Sequence, residues 1–331
     1  MRIVFRLALA VAFVATAALP AAAEVNEVRI TRQPGLVYLP LMVCEQQKFV
    51  ETEARKRGLG EVKVTWITFN SGGMSVDALL SGNVDFVTSG ATNMLVAWAK
   101  SNGQVKGASG AGALPMLLVT RNPKVKTLSD FTSDDKIAVP TVKVSTQATV
   151  LDVAAEKAFG EADAHKLDAI TVTMGHPDAL AALSGGRDVD SHFSLPPYQE
   201  QELKIPGVHA VLNSVDVMGG PVSNGVTFST VKFHDANPKM FAAVVAAIDD
   251  AVTLINTNKK LAAELYLRET KEKLTVDELV AMLNSPNFVY STAPKGTMKL
   301  AEAMYRNGAI KTKPASWKDY FFPEIYGTPG S

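Results

Sequence analysis

From Asn70 to Trp98 the chain reads NSGGMSVDALLSGNVDFVTSGATNMLVAW, and this stretch constrains the fold more than any other. A loop of small polar residues at 70–73 opens a short helix with Met74, Ala78 and Leu79 or Leu80 on its apolar side, and Gly82 stops it. An apolar strand at 84–87 then delivers the chain into a second small-residue loop at 88–92, which opens another helix. Such loops sit where parallel strands end and helices begin, and the unpaired N–H groups of a helix start favour negative charge. The stretch reads as one wall of a ligand cleft.

Similar units recur along the chain. Residues 27–31 alternate as a first strand, 41–57 form a helix ended by Gly58 and Gly60, and 62–68 form a second strand. Strands are expected at 105–109 and 116–120, and from Asn122 the pattern restarts with a strand at 136–139, a loop at 141–145 and a helix at 146–159. A strand at 170–173, a helix at 178–183 and a strand near 189–193 follow. Strands alternating with helices of this length specify an α/β fold with largely parallel sheets. The segment Ala78-Leu79-Leu80-Ser81-Gly82 before Asp85 matches Ala181-Ala182-Leu183-Ser184-Gly185 before Asp190, which is either an internal repeat or a shared helix stop.

About 300 residues exceed what a single core usually supports, so two lobes are expected. The strand at 226–230 is expected to pair beside 116–120, which makes two crossovers and divides the chain into lobe I at 24–117 and 224–331 and lobe II at 118–223. The remainder is helical. Asn237 should cap a helix that has Pro238 in its first turn, and Thr275 with Glu278 forms a capping box.

The N-terminus sets the compartment. Arg2 and Arg6 precede an apolar run at 7–19 and the small residues Ala21, Ala22 and Ala23, the pattern of an export signal cut after Ala23. The run is shorter than the roughly 20 residues that span a bilayer, and no later segment reads as a membrane helix, so a soluble periplasmic protein is expected. Without Arg2 and Arg6 there are 31 basic residues against 33 acidic, a net charge near −2 that argues against nucleic acid or an anionic membrane as partner. The single cysteine, Cys44, cannot form an internal disulfide and is expected to be buried.

Catalytic and metal patterns are missing. Residues 107–111 fall one residue short of a nucleophile elbow, Gly110 and Gly112 lack the third glycine of a dinucleotide fingerprint, and the five histidines show no metal-ligand spacing. No enzyme, cofactor or metal is expected. The polar loops at 70–73, 88–92, 142–147, 174–177 and 192–198 would lie at the carboxyl ends of parallel strands, where open α/β sheets bind ligands. They are rich in Ser, Thr, Asn and Gly and nearly free of Asp and Glu, which suits a small anion or a polar neutral molecule. His176 and His192 fall in loops after strands and are candidates for ligand contact, and Lys143 is the one fixed charge in these loops.

Several motifs together resemble the solute-binding proteins of ABC importers, in the nitrate, sulfonate and taurine group that also includes binders of thiamine pyrimidine precursors. They are the first strand with Leu39-Pro40-Leu41, the helix ending in Ser81-Gly82-Asn83-Val84-Asp85, Thr127-Leu128-Ser129-Asp130-Phe131 before the strand ending in Pro140, and Lys143-Val144-Ser145. The resemblance implies a two-lobed type II clamshell, each lobe a mainly parallel sheet flanked by helices. It implies a monomer that holds a small anion in its cleft and delivers it to a permease and ATPase. It places Tyr38, Asn70, Ser71, Gly72, Ser89, Gly90, Thr92, Ser145, Thr146 and Gln147 at the ligand, with Phe193 and Tyr198 available to stack on an aromatic acid. A pyrimidine binder, a sensor and a secreted enzyme on the same scaffold are the alternatives. The fungal pyrimidine-synthesising enzymes that share the fold carry a cysteine-rich loop, whereas Cys44 here stands alone.

Overall fold

A computed structural model describes residues 23–270 and 272–331; residues 1–22 of the expected export signal lie outside the described residues. The strands in chain order are β1 (Glu27–Arg32), β2 (Lys63–Thr68), β3 (Phe86–Ser89), β4 (Val105–Gly112), β5 (Leu117–Thr120), β6 (Ile137–Val139), β7 (Thr171–Thr173), β8 (Ser191–Ser194), β9 (His209–Asn213) and β10 (Gly225–Thr230). They build two five-stranded sheets, one ordered β2-β1-β3-β10-β4 and the other β7-β6-β8-β5-β9. In each sheet three neighbouring strands are parallel, and a fourth, β10 or β5, runs antiparallel to the strands on both sides of it. The result is a mixed α/β fold of two lobes, each a mainly parallel sheet with flanking helices.

The two orders correspond strand for strand, so β3 and β8 hold equivalent places. Ser81-Gly82 stops the helix that precedes β3, whereas Ser184-Gly185 forms the last turn of helix His176–Gly185 and Gly186, with φ 64°, stops it. Asp85 accepts from Arg29 N at 2.8 Å and grips its guanidinium through both oxygens, while Asp190 accepts from Lys136 N at 3.3 Å. Both aspartates therefore fasten the entry of the third strand to the strand beside it. Their matching positions in the two sheets serve sheet closure, not ligand chemistry.

The strand Gly225–Thr230 pairs with β3 and β4, not beside 116–120 as its alternation suggested. Leu117–Thr120 belongs to the other sheet, between β8 and β9. The chain crosses between sheets after β4 and returns before β10, and Asn224 ties the two crossovers together. Its Oδ1 accepts from Leu114 N at 3.0 Å and its Nδ2 donates to Leu114 O at 2.9 Å.

Other local expectations changed. The helix expected at 41–57 is two helices, Leu39–Gln47 and Phe49–Lys56, broken at Lys48, whose φ is 56°. On helix Gly72–Leu80 the inward residues are Ser75, Val76 and Leu79, and Met74 is 54% exposed. Helix Pro238–Thr257 has the length and apolarity of a membrane span, contrary to the sequence expectation. Its face carrying Phe241, Val244, Ile248 and Ile255 is buried in the core, where Phe241 meets Phe86 at 5.5 Å. Cys44 is buried as expected, 3.2 Å from Ala247 O.

Candidate functional site

Four helices of nine residues or more start on the same cavity between the sheets: Gly72–Leu80 and Ala91–Lys100 from one side, Thr146–Phe159 and His176–Gly185 from the other. Each start follows a strand of the parallel set, so the strand order itself aims the helix ends at the cleft. The first sheet contributes Tyr38, Asn70, Gly72, Ser89 and Gly90, and the second contributes Ser145, Thr146, Gln147 and His176. Gln33, Pro34, Asn93, Pro140, Pro177, Leu195 and Asn224 complete the wall. No Asp, Glu, Lys or Arg is among these residues.

The walls are in contact. Thr92 Oγ1 lies 3.2 Å from Thr146 Oγ1, Leu36 N donates to Pro196 O at 2.9 Å, and a Cβ on Gly90 would fall 2.4 Å from Thr146 Oγ1. Room for water centres is about 20 Å³, enough for little more than one water. Anything larger enters only when the walls part.

Electrostatics in this space come from dipoles and neutral groups. Burial, reinforced by the neighbouring His192 ring, holds the His176 imidazole well below its ordinary range, so it is neutral near pH 7. Burial pushes the Tyr38 hydroxyl above its ordinary range, partly offset by its bond to Ser89. Asn93 Nδ2 donates to Ser89 Oγ at 2.9 Å, which leaves Asn93 Oδ1 buried without a partner.

No family model matches the sequence, and no curated protein matches it. Solved structures do. The alkanesulfonate-binding protein SsuA from Xanthomonas axonopodis pv. citri, bound to MOPS, superposes with a TM-score of 0.68 at 18% identity over 88% of this chain and 96% of that one. The periplasmic aliphatic sulphonate-binding protein SsuA from Escherichia coli gives 0.63 at 19% over 87% and 94%. The periplasmic nitrate-binding protein NrtA from Synechocystis PCC 6803 gives 0.65 at 14% over 90% and 84%.

The chain has the periplasmic binding-protein fold.

Within that binding-protein fold the remaining candidates sit apart from the cavity wall. Ser71 is the N-cap of helix Gly72–Leu80, accepting from Met74 N at 3.4 Å. Thr92 is fully buried against Thr146 one step behind the wall. His192 lies on β8, not in a loop, and is fully buried between His176 and Glu202. Phe193 alternates to the other face of β8 and is core, which withdraws it from any stacking role. Tyr198 is behind His176, stacked on it with ring centroids 5.8 Å apart. Lys143 lies outside the cleft, 72% exposed and 3.8 Å from Asp168.

Sequence reasoning missed Gln33, Asn93 and Asn224. Asn93 was findable, since it lies in the first turn of the helix that the 88–92 loop opens. Asn224 was not, because its partner Leu114 is 110 residues away. Among the described residues one set of side chains has metal-ligand proximity, Asp152, His165 and Asp168, in a surface depression beside Lys143.

Proposed function

We propose that the chain is the solute-binding component of an ABC importer. It captures a small anion between lobe I, residues 24–117 with 224–331, and lobe II, residues 118–223, and presents it to an inner-membrane permease served by an ATPase. The observation that carries this reading is the convergence of four helix N-termini on a cleft without fixed charge. Ligand classes that suit it are organic sulfonates, taurine, nitrate and organic carboxylates. The orphan Asn93 Oδ1 favours those that bring an N–H or O–H of their own. The export signal places the protein in the periplasm, where cleavage after Ala23 leaves Glu24 as the first residue of a monomer.

Magnitudes explain the need for two walls. A micromolar dissociation constant requires about 8 kcal/mol, whereas one hydrogen bond to a charged group nets about 1.5 to 3 kcal/mol and a partly buried helix terminus adds at most about 2 kcal/mol. No single loop suffices. Closure brings donors from both lobes onto one ligand and excludes water.

A thermal-shift panel of alkanesulfonates, taurine, nitrate, benzoate and hydroxymethylpyrimidine tests the reading. Ligand at a hundred times its dissociation constant stabilises the folded state by about 2.7 kcal/mol, a visible rise in melting temperature. A flat response to every compound sinks the proposal. The buried line of His176, His192 and Glu202 lends some support to the alternative of a secreted enzyme, and turnover of a bound compound that His176→Asn abolishes would favour it.

A further inference from the structure

Behind the cleft, side chains from four elements form one hydrogen-bonded line. Gln147 Nε2 is 3.2 Å from His176 Nε2, His176 Nδ1 is 2.8 Å from His192 Nε2, and His192 Nδ1 is 2.6 Å from Glu202 Oε1. Of the four, Gln147 and His176 line the cleft, whereas His192 and Glu202 are fully buried. Among the described residues Glu202 Oε2 has no partner.

The donors and acceptors in this line are not independent. A carboxylate accepts only, and a neutral imidazole donates from one nitrogen and accepts at the other. With Glu202 ionised, His192 must carry its proton on Nδ1, so its Nε2 accepts from His176 Nδ1. His176 Nε2 then accepts in turn, and Gln147 must turn its amide nitrogen inward, as the structure has it. Every bond points toward Glu202, and a net negative charge stays buried with one oxygen unsatisfied, a costly state.

One added proton reverses the whole line. Whether it rests on His192 or on the Glu202 oxygen that faces His192 Nδ1, His192 Nε2 becomes a donor, His176 Nδ1 an acceptor and His176 Nε2 a donor. Gln147 must then turn its carbonyl inward and offer both N–H bonds to the cleft. The ionic state of Glu202 is thus read out as a donor or an acceptor at the ligand.

We propose that Glu202 is a positioning residue for the bound anion: acting through His192 and His176 it sets which face of the Gln147 amide meets the ligand, and an anion enters the cleft together with one proton drawn from solvent. The proposal rests on the reading of the cleft as an anion site. The other titratable groups around the line are few. Tyr198 stacks on His176 and is itself faced by Glu272, and Glu200 lies on the same short helix as Glu202. The residues opposite His192 on the flanking strands are Val119 and Ala138, both apolar, and helix Thr146–Phe159 contributes Gln147. Burial keeps His176 neutral, so it relays the state of the line without holding the added proton itself.

Two measurements on the full mature chain test this. The first needs no ligand: 15N spectra of the imidazole rings are followed as pH falls. His176 and His192 should exchange donor and acceptor nitrogens in one step, with the Gln147 side-chain amide shifting in the same step, and Glu202→Gln should abolish the joint step. Independent titration of the two rings, or an unmoved Gln147, overturns the proposal. The second is calorimetry with methanesulfonate, taurine, nitrate and benzoate in two buffers of different ionisation heat. Wild type should take up close to one proton per anion, with affinity falling as pH rises. Glu202→Gln should bind with a flat pH profile and no proton uptake, and His192→Gln, a residue behind the cleft, serves the same test if the first fails to fold. Binding without proton uptake in wild type overturns the proposal. Failure of all four anions to bind counts against the anion-binding reading itself, while the ligand-free titration still decides the inference.

Discussion

At Gly90 the space of a side chain is taken by the hydroxyl of Thr146 from the opposite wall. The φ of −57° there is open to any residue, so glycine is required for close approach and not for backbone conformation. Gly90→Ala should fold with an unchanged melting temperature yet hold the walls apart. Its affinity should fall at least about tenfold, the effect of ~1.4 kcal/mol of hindrance, and adding Thr146→Ala should restore it in the same calorimetric titration. Asp152 makes a second prediction at this scale. Burial and the adjacent Asp168 carboxylate push its carboxyl up to about 7. A carboxyl raised above its unfolded value stabilises the protein below that unfolded value and loses its contribution as pH rises through the folded one. Asp152→Asn keeps an acceptor for Asn307 Nδ2, which lies 2.8 Å away, and removes the charge. Melting curves should show the variant more stable than wild type at pH 8, with the advantage shrinking as pH falls below 7 and lost below about pH 4.

Among the elements, helix Pro238–Thr257 shows where sequence reading stops. Asn237 occupies the N-cap position but makes no side-chain cap bond, because its Oδ1 accepts from Val25 N at 2.9 Å. The free N–H groups of the first turn are met instead by Glu24, which accepts from Lys239 N at 3.1 Å and Met240 N at 2.9 Å. Glu24→Ala should therefore cost about 1 kcal/mol in a denaturant titration, the range of a lost cap, whereas Asn237→Ala acts by releasing the N-terminal segment. Local grammar did carry the capping box of Thr275 with Glu278 and the glycine stop at Gly82, since those bonds close within a few residues. The α/β alternation and the polar loops at helix starts were legible for the same reason. Partners of β10 and β5 were not, because alternation says which face is buried and nothing about which strand lies alongside. In the cleft, residues on loops before helices were legible, while Glu202 gave no signal: in Tyr198–Glu202 it looks like any charge on a short surface helix.

On the scale of the whole molecule, two of the links between the lobes differ in character. Near the crossovers, Asn224 satisfies both backbone groups of the buried Leu114. Asn224→Ala leaves that N–H and C=O without partners and should destabilise by about 1 to 3 kcal/mol in chemical unfolding. Away from the crossovers, the end of helix Thr297–Arg306 reaches helix Thr146–Phe159 through Arg306 with Glu156 and Asn307 with Asp152. Those contacts are side chain to side chain and partly solvated, so they can break and reform while the crossovers persist. The Asn224 clasp has a mechanical corollary. Two strands of chain free to slide past one another would permit the lobes to shear, twist and swing, and the position of one would say little about the other. Fastened at one amide, the two crossovers can slide past one another only if both of its bonds break. Labels placed one on each crossover should therefore hold a single distance in wild type and a spread of distances in Asn224→Ala.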